Sequence, residues 1–255
     1  MIKSNRLKEM EAYIISKGVA SMEELCRLYD ISMNTCRNDV AELAKKGSIL
    51  KVYGGVTSNV PSKKTNLVSI DERKTQNIQC KRDIAKAAAC YVEQGDIIFI
   101  DSGSTAVNLL DFIDDKVKIT IITHSVDVLM KASKLPNIEL FCFGGRYQAA
   151  TGCFVGMGIG NAFERYNINK AFMGTKGITE TGAVTDSSMG EYEIKKWAVS
   201  RAEKSVLMAD SRKFGRAGLM SYCNLEDVDV LVSDRMAPDG LVELCEQNNT
   251  ELRLV

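Results

Sequence analysis

The chain has 255 residues, is 45% hydrophobic and is formally neutral, which suits one small and one larger domain with ordinary cores. It never reaches the roughly 18 to 20 uncharged apolar residues of a membrane span, and a start carrying Lys3, Arg6, Lys8 and Glu9 lacks a secretory apolar segment, so a cytoplasmic protein with no membrane partner is expected. Neutrality hides an asymmetry: residues 1–64 hold 11 Lys/Arg against 7 Asp/Glu, leaving 22 against 26 for residues 65–255, and the positive end is the one suited to nucleic acid.

In chain order, a first helix is predicted from about Asn5 to Ser16, burying Leu7, Met10, Ile14 and Ile15. Ser21 with Glu24 three residues on has the form of a capping box, opening a short helix through Leu25 and Leu28 that ends near Asp30. Ser32 caps the next helix, whose Cys36, Val40 and Leu43 share one face and leave Asn34, Arg37, Asn38 and Ala41 pointing elsewhere. The strand Ile49 to Tyr53 and the Gly54-Gly55 turn form a basic wing. Three helices around one small core, with the third offered to a major groove, make a winged helix-turn-helix.

Residues Ile31 to Gly55, ISMNTCRNDVAELAKKGSILKVYGG, resemble the N-terminal domain of the DeoR family of bacterial transcription regulators. The family pattern, roughly VS, two residues, TIRRDL, a spacer and GxIxRxHGG, is met at Ile31-Ser32, Thr35, Arg37, Asp39, Gly47, Ile49, Lys51, Gly54 and Gly55. Cys36 stands for isoleucine, Asn38 for the second arginine, Lys51 for arginine and Tyr53 for histidine. The resemblance implies double-stranded operator DNA as a partner, with Ser32, Asn34, Thr35, Arg37, Asn38, Lys51 and Tyr53 as DNA-binding candidates. Asn38 removes a cationic fork that could read guanine or grip phosphate, so base preference is expected to differ from the family's.

The stretch from Thr57 to Ile70 loses periodicity and gains Ser, Thr, Asn, Lys and a proline, the profile of a linker, so the expected division is 1–57, linker 58–70 and 71–255. A long helical pattern then runs from Asp71 to about Glu93 through Ile78, Ala85, Ala88, Ala89 and Val92, stopped by Gly95. Beyond it, short apolar runs at Ile97–Ile100, Ile119–Ile122, Ile138–Phe143, Ala171–Met173, Ser205–Met208 and Val228–Val232 alternate with helical stretches at Ala106–Ile113, Val126–Ser133 and Tyr192–Ala202. That pattern predicts an α/β domain with a mostly parallel sheet. The eight cysteines form no CxxC pair, and Cys26, Cys36, Cys90, Cys142 and Cys245 lie among apolar neighbours, so buried reduced thiols are expected. With His124 the only histidine, no His-rich metal site is possible, and neither a metal nor a cofactor is expected.

Ligands of open α/β sheets gather where strands end. The first strand is followed by Asp101-Ser102-Gly103-Ser104-Thr105, whose glycine, hydroxyls and helix-start N–H groups suit a phosphate; the same residues suit a helix cap, and both readings stand. Thr123-His124-Ser125, Phe143-Gly144-Gly145-Arg146, Gly174-Thr175-Lys176-Gly177 and Asp210-Ser211-Arg212-Lys213-Phe214-Gly215 follow the later strands, bringing small residues and cations to one rim. These segments look like the C-terminal domain of the same family, with its DxGST loop, TNS-like triplet, GG pair, FxGxxGI segment and ADxSKFG loop; the likeness runs from about residue 70 to 235. His124 replaces the usual asparagine and Arg212 a serine.

The resemblance implies a fold related to ribose-5-phosphate isomerase and glucosamine-6-phosphate deaminase that senses a phosphorylated sugar. Gly103, Ser104 and Thr105 would hold the phosphate and Lys213 would reach the anion or a hydroxyl, with Asp101, His124, Ser125, Gly145, Arg146 and Lys176 completing the effector-binding candidates. Asp101 could equally cap its turn, Lys213 could be a solvated loop lysine, and His124 reads more readily as a satisfied polar residue than as a switch. Glu191 and Lys195, one helical turn apart, read as a surface pair slightly in preference to a ligand role, and Trp197 as core. The expectation is a homo-oligomeric repressor of a sugar-metabolism operon released by a sugar phosphate, with no catalytic residues. The alternatives are a sugar-phosphate isomerase or deaminase, and a DNA-binding protein whose C-terminal domain only oligomerises.

Overall fold

The computed structural model describes residues 3–17, 19–52, 55–58, 69–156 and 165–255. Tyr53, Gly54, the side chain of Ile15 and most of the expected linker lie outside the described residues. The chain divides into two compact units, Met1–Leu67 and Val68–Val255.

In the first unit, helices α1 (Lys3–Lys17), α2 (Met22–Tyr29) and α3 (Met33–Lys45) are joined by a sheet of β1 (Val19–Ser21), β2 (Ile49–Val52) and β3 (Gly55–Ser58), in the order β1-β3-β2 and antiparallel. Leu7, Met10, Ile14, Leu25, Cys36, Val40, Leu43 and Ile49 form its core, while Leu28 faces solvent. Ser21 and Ser32 cap α2 and α3 by accepting from the Glu24 and Thr35 backbone N–H groups, and Asp30 ends α2 in the left-handed region. The Tyr13 hydroxyl donates to Glu24, tying α1 to the start of α2. β3 runs to Ser58, so Thr57 belongs to the wing: its backbone pairs with Leu50, and this ladder outweighs the loop-like composition.

The second unit is a three-layer α/β/α domain around a seven-stranded parallel sheet, built from β4 (Ile97–Ile100), β5 (Ile119–Thr123), β6 (Ile138–Cys142), β9 (Ile168–Gly174), β12 (Ala202–Met208), β14 (Val230–Ser233) and β15 (Glu251–Leu254). Alternation along the strands sends Phe99, Met173, Leu207 and Leu231 to one face. There they meet α7 (Met189–Arg201) and α8 (Asp239–Gln247) through Trp197, Leu241 and Leu244. Ile98, Ile100, Phe172, Val206 and Val230 go to the other face, against α5 (Ile78–Ala89) and α6 (Val126–Ala132) through Ile84, Ala88 and Val128. A hairpin of β7 (Arg146–Gln148) and β8 (Cys153–Val155) and a small sheet of β10 (Gly177–Ile178), β11 (Ala183–Asp186) and β13 (Met220–Asn224) also belong to the unit.

Several expectations are corrected. The helix predicted from Asp71 to Glu93 is two: α4 (Ile70–Thr75) and α5 are separated where Gln76 is extended and Asn77 sits at φ +50°, and α5 ends at Ala89. Asparagine tolerates this region, so the break needs no glycine. Ile78, taken as a core position, is exposed because the break resets the helical phase. The Ala106–Ile113 stretch is a 3-10 turn over Ala106–Asp111, and Cys90 is exposed at the end of α5. All eight cysteines are free thiols.

Candidate effector site and DNA-contacting face

The sheet order β15-β14-β12-β9-β4-β5-β6 reverses between β9 and β4, since β5 and β6 lie to one side and β12, β14 and β15 to the other. At such a switch point the loops after the two central strands diverge and leave a crevice. Asp101 follows β4 and Gly174 ends β9, and they meet there: the Gly174 N–H donates to Asp101 Oδ2 at 2.9 Å. A side chain added at Gly174 would come within 3.1 Å of that oxygen and one at Gly103 within 3.5 Å, so two glycines let the strands' loops close on each other. Arg73, Gly103, Thr175 and Lys176 form the rest of the rim, with Ser102, Asp186, Glu191 and Lys195 beneath.

The floor is internally paired. Lys195 is 2% exposed and donates to Asp101 Oδ2 at 2.6 Å and to the Gly174 carbonyl at 3.0 Å, with Asp186 Oδ2 at 3.2 Å. Burial alone would lower its pKa, but Asp101 and Asp186 outweigh it and hold the ammonium well above its usual range. The Tyr222 hydroxyl also donates to the Gly174 carbonyl. Glu191, 3% exposed, accepts from the Ser102 hydroxyl and lies 3.6 Å from His124 Nε2. Burial pushes its pKa up, but His124, Lys195 and Ser102 prevail and hold it below the usual carboxylate range. The expected surface pair Glu191–Lys195 is therefore wrong, because α7 is packed against β9, β11 and β13 and carries both residues inward. Asp101 Oδ1 is buried with no hydrogen-bond partner, an acceptor open to a donor.

The rim is the opposite. Among the described residues Arg73, Lys81, Lys176 and Lys213 enter no ion pair, although they are near enough to act on one another. Lys176 is lowered to about 8, first by burial and then by Arg73 and Lys213 against the pull of Asp186 and Glu191. Lys81 is likewise lowered to about 8 by burial, then by Lys213 and Arg73 against the pull of Asp210, and Lys213 is lowered by burial, which together with Arg73 outweighs Asp210. Arg73 Nε is buried and unpartnered. Four cations converge with no carboxylate within ion-pair distance of any of them among the described residues, although Asp186, Glu191 and Asp210 act on them from farther away.

In the first unit, α3 turns Asn34, Arg37 and Asn38 outward, and Lys51 is exposed on β2. Ser32 Oγ is engaged in the cap, 2.9 Å from Thr35 Oγ1. Asp39 is buried beneath and accepts from Arg6 Nε at 2.8 Å, which fixes α3 against α1 and the outward direction of Arg37 with it.

A family model of the DeoR C terminal sensor domain matches residues 76–235, and one of the DeoR-like helix-turn-helix domain matches residues 6–62. The chain belongs to the DeoR family of transcriptional regulators. It is 40% identical to the HTH-type transcriptional regulator IolR of Bacillus subtilis over 99% of this chain and 100% of that one. It is 30% identical to a lactose phosphotransferase system repressor of Staphylococcus epidermidis over 92% and 93%, and 29% identical to an L-fucose operon activator of Haemophilus influenzae over 93% and 94%. A ribose 5-phosphate isomerase A structure from Methanocaldococcus jannaschii aligns with a TM-score of 0.41 and 20% identity over 55% of each chain. This member of the family is a DNA-binding regulator and not an enzyme.

Of the expected effector residues of this DeoR-family chain, Asp101, Gly103 and Lys176 line the crevice and Lys213 stands beside it. Ser104 instead lines a separate cleft of about 420 Å³ with Lys74, Asn108, Asp127, Lys131 and Lys134, and Thr105 is buried at the 3-10 turn. Ser125 is buried and caps α6 by accepting from the Val128 N–H, while Gly145 and Arg146 are exposed where the β7–β8 hairpin begins. His124 lies fully buried behind Glu191, stacked on Phe99 at 5.7 Å, with Nε2 3.6 Å from the Glu191 carboxylate and neither ring nitrogen within hydrogen-bond distance of a partner, unlike the satisfied residue expected. The fold also brings His124, Cys153 and Glu191 within 4.8 Å of one another; burial and Glu191 push the Cys153 thiol up, so it stays protonated. Sequence reading missed Arg73 and Lys81 as site residues. Arg73 sits in the run Asp71-Glu72-Arg73-Lys74, which has the composition of any solvated helix start.

Proposed function

We propose that the chain represses a sugar-metabolism operon by holding its operator with paired winged helices, and that a phosphorylated sugar bound at the β4/β9 crevice releases it. The carrying observation is the group of unpaired cations at the switch point, a place that attracts a dianion and offers a neutral sugar little. Lys176, Lys213 and Arg73 take the phosphate, the Gly103 backbone permits close approach, and Asp101 Oδ1 accepts from a sugar hydroxyl. Arg37, Asn34 and Asn38 face the major groove and Lys51 meets backbone phosphate.

One recognition helix buries too little for operator-level affinity, so the protein acts as a dimer or larger homo-oligomer. Release by ten- to hundredfold needs a coupling of roughly 1.4 to 2.8 kcal/mol between effector and DNA, an ordinary allosteric quantity. The names of relatives that repress or activate sugar operons support the class of regulated gene. The test is an operator fragment selected from genomic DNA and titrated with the protein and a panel of sugar phosphates. Release by one phosphate ester and by no free sugar is expected. A panel that neither shifts operator affinity nor raises the melting temperature favours a C-terminal unit that only oligomerises.

A further inference from the structure

The crevice has room for about one water, with a volume near 20 Å³, and a sugar phosphate cannot enter it as it stands. Most of its walls cannot give way. Asp101, Gly174, Lys195 and Glu191 are tied to one another inside the domain by the contacts described above. Arg73 is different: it is carried by α4, a six-residue helix separated from α5 by extended Gln76 and left-handed Asn77. The seat of α4 is small. Ile70 is buried, its N–H donates to the Ala150 carbonyl at 3.0 Å, and its side chain lies against Gly152, which sits at φ +67°. Lys74 reaches Asp127 at 2.7 Å on the side of the 420 Å³ cleft, and the Lys81 ammonium donates to the Arg73 carbonyl.

Resting on the effector-site reading above, we propose that α4 is the movable wall of the crevice, that Arg73 is a direct ligand of the effector's anion, and that reseating of α4 carries occupancy to the DNA-binding unit. Without an anion, Arg73 and Lys176 line one crevice with no ion pair to either among the described residues, so like charge presses α4 outward while the Ile70 seat and the Lys74–Asp127 pair hold it in. A dianion reverses the sign of that force, because Arg73 then has a shared counter-charge with Lys176. α4 is also the first described element of the second unit, next in sequence to the first unit. A shift of Ile70 from Ala150 and Gly152 therefore moves the attachment point of the chain that leads to the winged helix. The ligand contributes a differential contact with the two seats of one small element, which is what a population shift requires.

Amide hydrogen exchange on the full-length protein, with inorganic phosphate as the probe, tests this. Saturating phosphate should slow exchange of residues 69–77 while β4 and β9 are unchanged, and Arg73→Gln should weaken phosphate binding roughly tenfold or more and abolish the change. Lys74→Gln, which cuts the tie to Asp127 without touching the crevice, should speed exchange of residues 69–77 roughly fivefold while phosphate still binds. If Lys176→Gln loses phosphate binding but Arg73→Gln binds and responds like the wild type, the anion site stands and the movable wall is wrong. If wild-type protein binds neither phosphate nor any phosphate ester, the functional reading itself fails. Unaltered exchange of residues 69–77 under saturating phosphate overturns the role of α4.

Discussion

Lys195 and Lys176 stand at the same crevice, and their surroundings push their acidities in opposite directions. Lys195 has two carboxylates and a carbonyl within reach and is held above the usual range; Lys176 has no carboxylate within ion-pair distance, and burial first, then Arg73 and Lys213 against Asp186 and Glu191, lower it to about 8. A buried cation with its counter-charges already in place is part of the architecture, whereas one facing other cations awaits a charge from outside. The first unit repeats the distinction: Arg6 is spent on buried Asp39, while Arg37 points outward and enters no ion pair among the described residues.

The largest effect should come from breaking the paired side. Lys195→Met leaves Asp101 and Asp186 buried without their cation and should destabilise the protein by about 3 to 5 kcal/mol in denaturant titrations. A variant of wild-type stability would mean that the floor is not paired as described. Lys176→Gln, on the unpaired side, should leave stability equal or slightly raised and weaken a phosphate ester by about 1.5 to 3 kcal/mol in calorimetry. Loss of stability with unchanged binding would invert the comparison. Arg37→Ala should weaken operator binding by about 1 to 3 kcal/mol in the folded protein, whereas Arg6→Ala should act on melting first, since it strands Asp39.

The pH response separates the two lysines without mutation. Lys176 and Lys81 have their pKa lowered to about 8, so their charge is lost as pH rises through that value, and phosphate-ester affinity should fall between about pH 7 and 9, with protons taken up on binding near pH 8. In the unliganded protein the unfolded chain holds more protons on these lysines between about 8 and 10.5, so their contribution to stability rises with pH there. Lys195, whose pKa is raised, contributes stability that is complete below its unfolded value and lost as pH rises through the folded one. Calorimetry in buffers of different ionisation enthalpy reads the uptake; an affinity flat across this window would show that neither Lys176 nor Lys81 serves the anion. The smallest effect is at the wing, where Lys51→Ala should lower the salt slope of operator binding by about one unit.

The sheet was legible because its strands are short apolar runs whose ends carry Gly, Ser, Thr and Asp, and the first unit because Ser21 and Ser32 announce helix starts. The break at Asn77 was hidden, since the apolar period on either side of it reads as one helix and nothing but an asparagine marks the turn. Glu191 and Lys195 were misjudged for a related reason. A charge pair one turn apart has the same spacing on a solvated face as in a core, and only the strands packed around α7 decide between them. Residues brought together from α4, the β9–β10 turn and the 3-10 turn at Ser211–Lys213 are far apart in sequence, so the cationic rim exists only once the parallel sheet has set its order.

The central claim is that the unpaired rim exists for a phosphate. The most direct measurement is an operator-release titration with a sugar and its phosphate ester side by side, on wild type and on Lys176→Gln. Release by the ester alone, shifted to higher concentration in the variant while operator affinity without ligand stays the same, is the result expected. Equal release by the sugar and its ester, or an unshifted titration in the variant, would contradict it.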